Sequence, residues 1–125
     1  EDGLRRTRVD SRETARTWIG AALPPGAKIA VEAYSPYVSP RRFEVRGFAK
    51  ITDHRLNWYL AERFEYLVFS EGMFGRFYRE PHRYAEEIRQ YDLFFRDLEP
   101  VRIFVDGGYE VRVYQVPRGP GDLTH

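Results

Sequence analysis

The side chains best suited to metal or proton chemistry are three histidines, His54, His82 and His125, and none has the spacing of a ligand set. A zinc site on a helix wants histidines at i and i+4, or a histidine with acidic residues close by in the fold. Asp53-His54 reads more simply as a helix cap and its neighbour, and all three histidines are expected to be solvated. Paired carboxylates could serve glycoside hydrolysis, in which two acids flank the scissile bond. The closest pairs are Glu62 with Glu65 and Glu86 with Glu87. Adjacent residues on a helix point in different directions and Glu86-Glu87 sits in a charge-balanced helix, and both pairs read as solvated faces. Neither GxGxxG nor GxxxxGK[ST] occurs, and the turn after the first long strand, Ala33-Tyr34-Ser35-Pro36, has no glycine. With no cysteine there is no thiolate nucleophile and no disulfide framework. The residues therefore call for no metal and no cofactor, and they assemble no self-sufficient catalytic site.

One group of polar residues survives this sifting. In open parallel sheets ligands settle beyond the carboxyl ends of the strands. Those ends deliver Glu32, Tyr34, Ser35 and Tyr37 from one loop and Ser70, Glu71, Arg76 and Tyr78 from another. Tyrosines with arginines can stack on sugar rings or pair with phosphates and carboxylates. The same aromatics could equally cover the edge of a sheet, and both readings stay open. Of the 20 basic residues only Lys28 and Lys50 are lysines. Arginine's fork suits carboxylate and phosphate recognition, although biased composition and surface ion pairing account for it as well. The net charge of +1, from 20 basic and 19 acidic residues, lacks the surplus that a nucleic-acid surface requires.

The elements that must position these residues follow from periodicity. Residues 1–9 are charged and aperiodic, and are expected to form a flexible leading segment. Asp10 with Glu13 has the pattern of a capping box. Ala15, Trp18, Ile19 and Ala22 then mark one face of a helix that Leu23-Pro24-Pro25-Gly26 stops. Lys28 to Ala33 reads as a buried strand, followed by a long Tyr/Ser/Pro loop to about residue 42 and a brief strand at Phe43 and Val45. Asp53 can cap a helix carrying Leu56, Tyr59, Leu60 and Arg63. Phe64 to Ser70 is the next buried strand, and Glu71 to Glu80 reads as a glycine-bearing loop. Pro81 suits a first helical position, and Tyr84, Ile88, Tyr91, Phe95 and Leu98 form the strongest helical stripe. Arg83–Glu87 and Asp92–Arg96 offer i,i+4 support on its polar side. Pro100 ends it. Val101 to Val105, the turn Asp106-Gly107-Gly108 and Tyr109 to Val116 form a hairpin, and 117–125 is expected to fray.

Strands separated by helices predict an α/β fold: a single three-layer-like domain over residues 10–116. Its small, mostly parallel sheet is flanked by helices and closed by a C-terminal antiparallel hairpin. A hydrophobic fraction of 42% and an aromatic fraction of 16% can fill one core at this length of 125 residues. No run of roughly 18 apolar residues and no secretory leader is present. The chain opens at Glu1 and its only methionine is Met73, which suggests a piece of a longer protein with any membrane segment outside it.

The ordered set of signals resembles a known family. Asp10-Ser11-Arg12, Ala15, Trp18-Ile19, Leu23 to Ala30 and Glu32 are similar to the start of the soluble C-terminal domain of multi-spanning, lipid-carrier-dependent membrane glycosyltransferases, the protein mannosyltransferase and aminoarabinose transferase-like group. Trp58-Tyr59, Phe64 to Ser70, and Tyr84, Tyr91 and Leu93-Phe94 before the hairpin extend the likeness over roughly residues 10 to 116. The resemblance implies that catalytic acids and the lipid-carrier site belong to the membrane part and its first external loop, none of which maps onto this chain. It implies a non-catalytic domain on the extracytoplasmic (periplasmic or outer) face, partnered by the membrane-embedded part of the same polypeptide. That domain would help contact a sugar or glycan acceptor, contact partners or stabilise the assembly. Two other readings stand beside it. One is a free-standing ligand-binding or protein-interaction module. The other is a small hydrolase or transferase relying on Ser70 or Glu32.

Overall fold

The computed structural model describes residues 10–106 and 108–117; the expectations for 1–9, for Gly107, for most of 117–125 and for His125 lie outside the described residues. Among the described residues, four α-helices and five strands follow in the order α1 (Ser11–Ala22), β1 (Lys28–Glu32), β2 (Glu44–Phe48), α2 (Leu56–Ala61), β3 (Tyr66–Ser70), α3 (Glu71–Arg79), α4 (Ala85–Asp97), β4 (Glu99–Phe104) and β5 (Val111–Gln115). A 3-10 turn, Ile51–Asp53, precedes α2. The strands form one sheet in the order β2-β1-β3-β5-β4. β1 pairs parallel with β2 and with β3, whereas β5 pairs antiparallel with β3 and with β4. The sheet is therefore mixed rather than mostly parallel. The reason lies in the hairpin, whose second strand inserts between β3 and β4 instead of adding at the edge.

Two apolar cores lie on opposite faces of this sheet. On one, Ala15 and Ile19 of α1 and Leu23 at its end pack on Ile29, Val68, Val111 and Val113, with Val38 and Phe43 of the long loop. On the other, α2, α3 and α4 bring Tyr59, Phe74, Phe77, Tyr91 and Phe94 onto Leu67, Phe69 and Tyr114. Phe69 is the hub, with edge contacts to Tyr91, Phe94, Phe95 and Tyr114 at centroid distances of 5.0–6.1 Å. Edge-to-face packing of this kind adds to the area term.

Several local expectations are corrected. Asp10 caps α1 by accepting from Arg12 N at 2.7 Å, but Glu13 pairs with Arg16 instead of closing the box. Asp53 does not cap α2. It accepts from Lys50 N at 3.3 Å and so closes the 3-10 turn, leaving Arg55 at the helix start without a side-chain cap. Arg63 lies beyond α2 in a left-handed conformation, φ 66°, and Phe64 N donates back to Tyr59 O at 3.0 Å, a Schellman-type ending. Pro81 sits in the turn before α4, which begins at Ala85. Arg83 pairs with Glu80, and Arg96 with Asp97, rather than with Glu87 and Asp92. His54 is not fully solvated: half-buried, it stacks on Trp58 at 3.7 Å.

The largest correction is α3, for which the sequence reading expects a loop. Two glycines hide the helix, yet Ser70 caps it by accepting from Gly72 N at 3.2 Å, and Glu71 lies in its positive first turn. Gly72 is required by proximity: a methyl group there would sit 2.8 Å from Tyr34 Cβ. Gly47 in edge strand β2 has nothing within 4 Å of the same position. Gly72→Ala should therefore cost about 1–3 kcal/mol. Gly47→Ala should stay within about 0.5 kcal/mol. Urea denaturation of both variants checks this, and equal costs would contradict the packing described.

Candidate functional site

The carboxyl ends of β1 and β3 meet at Glu32 and Ser70, and both residues are buried, at 3% and 0% exposure. Glu32 is the fifth residue of β1 and points into the core on the α4 side. Its Oε2 accepts from Ile51 N at 3.1 Å and from the Tyr91 hydroxyl at 2.5 Å, while Oε1 accepts from Ser70 N at 3.1 Å. One side chain thus ties β1 to the 3-10 turn, to β3 and to α4. Burial pushes its carboxyl up to about 7, against the lowering effect of these three donors. The nearby carboxylate raises the Tyr91 phenol further, beyond the lift that burial alone gives it.

Ser70 is equally committed. Its hydroxyl donates to Tyr34 O at 3.0 Å and accepts from Gly72 N at 3.2 Å. Both interactions are with the backbone, and together they hold a turn. Ser35 N donates to Glu32 O at 3.2 Å, and its hydroxyl reaches Val68 O at 3.5 Å.

The remaining residues of the expected site are on the outside. Tyr34 and Tyr37 are 52% and 65% exposed. Tyr34 adopts a left-handed backbone, φ 69°, which costs an ordinary residue about 1–2 kcal/mol. The Ser70 hydroxyl holding its carbonyl offsets that cost. Arg76 projects from α3 with its guanidinium 5.7 Å from the centre of the Tyr34 ring, and one Nη donates to Gly72 O at 3.3 Å. Tyr78 does not join this group, because its hydroxyl donates to Asp92 of α4 at 2.7 Å. Glu71 is structural: it accepts from Glu110 N at 2.7 Å and donates its own N–H to Glu110 O at 2.8 Å, clamping α3 to the start of β5.

Sequence reasoning missed two features. Tyr109, half exposed, is carried by the β4–β5 hairpin to the same place, with Cδ2 3.3 Å from the position a methyl on Gly72 would take. The Ser11 hydroxyl donates to its carbonyl and so fixes the hairpin to α1. An aromatic directly after a glycine turn was the available signal. The second feature is a groove of about 480 Å³ between α2 and α4, lined by Thr52, His54, Arg55, Asn57, Arg89 and Gln90 among others. A smaller hollow of about 230 Å³ lies by Tyr37, between Ser35-Pro36 and the start of α1 at Asp10, Arg12 and Glu13. Among the described residues, no three His, Asp or Glu side chains converge as a cation's ligands. Among them, too, no helix is long and apolar enough to cross a membrane. Comparison of the chain with family models, with characterised proteins and with solved structures finds no match.

The Glu32 knot has a pH signature. With the folded carboxyl near 7 and its ordinary value at 4.5, the folded state holds a proton that the unfolded chain has lost between those values. This group's contribution is therefore fully present below about pH 4.5 and is lost as pH rises through about 7, on the order of 3 kcal/mol in all. Unfolding free energy measured from pH 5 to 8 should show that decline in the native chain and a flatter profile in Glu32→Gln. Identical slopes in the two proteins would refute the assignment. Tyr91→Phe removes a donor to the carboxylate and should cost about 1.5–3 kcal/mol at pH 8, and less at pH 5.

Proposed function

We propose that this chain is a non-catalytic contact domain of a polyprenyl-phosphate-sugar-dependent membrane glycosyltransferase. It sits on the extracytoplasmic side beside the membrane-embedded part of the same polypeptide and helps engage acceptor or partner. The observation that carries the non-catalytic part is the use made of Glu32. Both of its oxygens are consumed by Ile51, Ser70 and Tyr91 inside the core, where no substrate reaches them. What the same end of the domain offers to solvent is contact chemistry, the rings of Tyr34 and Tyr37 and the guanidinium of Arg76. The membrane-enzyme part is supported by the ordered likeness of residues 10 to 116 to that family's soluble domain. A free-standing binding module is the second reading, favoured by the groove between α2 and α4, whose volume of about 480 Å³ falls in the range of ligand sites.

The reading predicts that the reading frame upstream of Glu1 encodes several apolar spans of about 20 residues each. It also predicts that the 125-residue chain fails to transfer sugar from a polyprenyl-phosphate donor, whereas the membrane-borne parent transfers it. An upstream sequence without spans would contradict the membrane-enzyme reading and leave the binding module. Turnover by the isolated chain would overturn the non-catalytic one.

A further inference from the structure

Four segments converge on one surface at the carboxyl ends of β1 and β3: the loop after β1, the first turns of α3, the β4–β5 hairpin and the start of α1. The contacts that bring them there are all short and specific. Ser70 holds Tyr34, Glu71 holds Glu110, and Ser11 holds Tyr109. The rings of Tyr34 and Tyr109 flank Gly72, whose missing side chain is what lets Tyr34 come so close. A left-handed residue with a half-exposed ring is an expensive way to finish a turn, since glycine or asparagine would take that backbone more easily. The fold maintains a tyrosine there, locked by a fully buried serine.

We propose that the Tyr34–Arg76–Tyr109 surface binds a pyranose ring carrying an anionic substituent. The ring's C–H face lies on the exposed tyrosine rings and its anionic group pairs with Arg76. An exposed tyrosine offers a flat apolar face with a polar tip, which matches a sugar's alternation of C–H face and hydroxyl rim. Arg76 makes no ion pair among the described residues. Its guanidinium engages only the Gly72 carbonyl and the Tyr34 ring, leaving donors for a carboxylate or phosphate. Among the described residues, Arg12 and Arg16 on the neighbouring α1, by contrast, are already paired with Asp10 and Glu13. A guanidinium beside exposed aromatic faces suits a sugar that carries an anionic group. The hollow at Ser35, Pro36 and Tyr37 extends the surface on the α1 side, room for a second residue of a chain. The inference is independent of the membrane-enzyme reading, because a free-standing module with this surface would bind the same class.

The test is an NMR titration of the 125-residue chain with glucuronate, galacturonate and glucose 6-phosphate. Methyl glucoside and acetate serve as neutral-sugar and bare-anion comparisons. At least one acidic sugar should saturate with a Kd on the order of 1 mM, moving the ring signals of Tyr34 and Tyr109 and the Nε signal of Arg76. Methyl glucoside and acetate should each bind about tenfold more weakly. Tyr34→Ala and the solvent-exposed Arg76→Gln should each weaken the acidic sugar about tenfold, Arg76→Gln with the amide spectrum of the core unchanged. The proposal is overturned if none of the three acidic sugars shifts these signals. It is equally overturned if acetate matches them, or if the shifts map only to the Thr52–Arg89 groove.

Discussion

A single buried carboxylate organises this domain. Glu32 ends the central parallel strand, and a charge there would be intolerable without partners. The chain supplies them from three directions: a backbone amide of the 3-10 turn, a backbone amide at the end of β3, and a phenol from the middle of α4. The donors belong to three elements far apart in sequence, the 3-10 turn, β3 and α4. The carboxyl group joins them at one point. Desolvation and hydrogen bonding pull its proton affinity in opposite directions, and burial wins.

The knot also positions the outer surface. Fixing Ser70 N sets the residue whose hydroxyl then caps α3 and holds Tyr34 in its left-handed turn. The exposed Tyr34 is thus attached through two hydrogen-bond steps, by way of Ser70, to the buried Glu32. The division of labour is plain in physical terms. Glu32 and Ser70 are spent on architecture, while Tyr34, Tyr37 and Arg76 stay accessible for contact.

Much of the fold was legible in the residues. The stripe Tyr84, Ile88, Tyr91, Phe95 and Leu98 yielded α4, and the alternation flanking Asp106-Gly107-Gly108 yielded the hairpin. The insertion of β5 between β3 and β4 was not legible, since strand order depends on long-range packing that no local pattern encodes. α3 was missed because Gly72 and Gly75 lower helix propensity, and the reason for Gly72 is a contact with Tyr34, which is distant in sequence. Glu32, Tyr34, Ser35 and Ser70 came together at the strand ends as the parallel part of the sheet requires. Their division was invisible, because nothing in the residue type of Glu32 or Tyr34 says which faces the core. Tyr78 was drawn in by its position in sequence, yet it bonds Asp92 instead.

Amide hydrogen exchange at Ile51 and Ser70 tests the knot most directly, since each of these N–H groups donates to Glu32 rather than to a strand neighbour. If the carboxylate clamps the 3-10 turn and the end of β3, both amides should exchange only through global unfolding, as slowly as the amide of Val68 in the centre of the sheet. Exchange at Ile51 and Ser70 that is orders of magnitude faster than at Val68, under the same native conditions, would show that Glu32 does not hold these elements together.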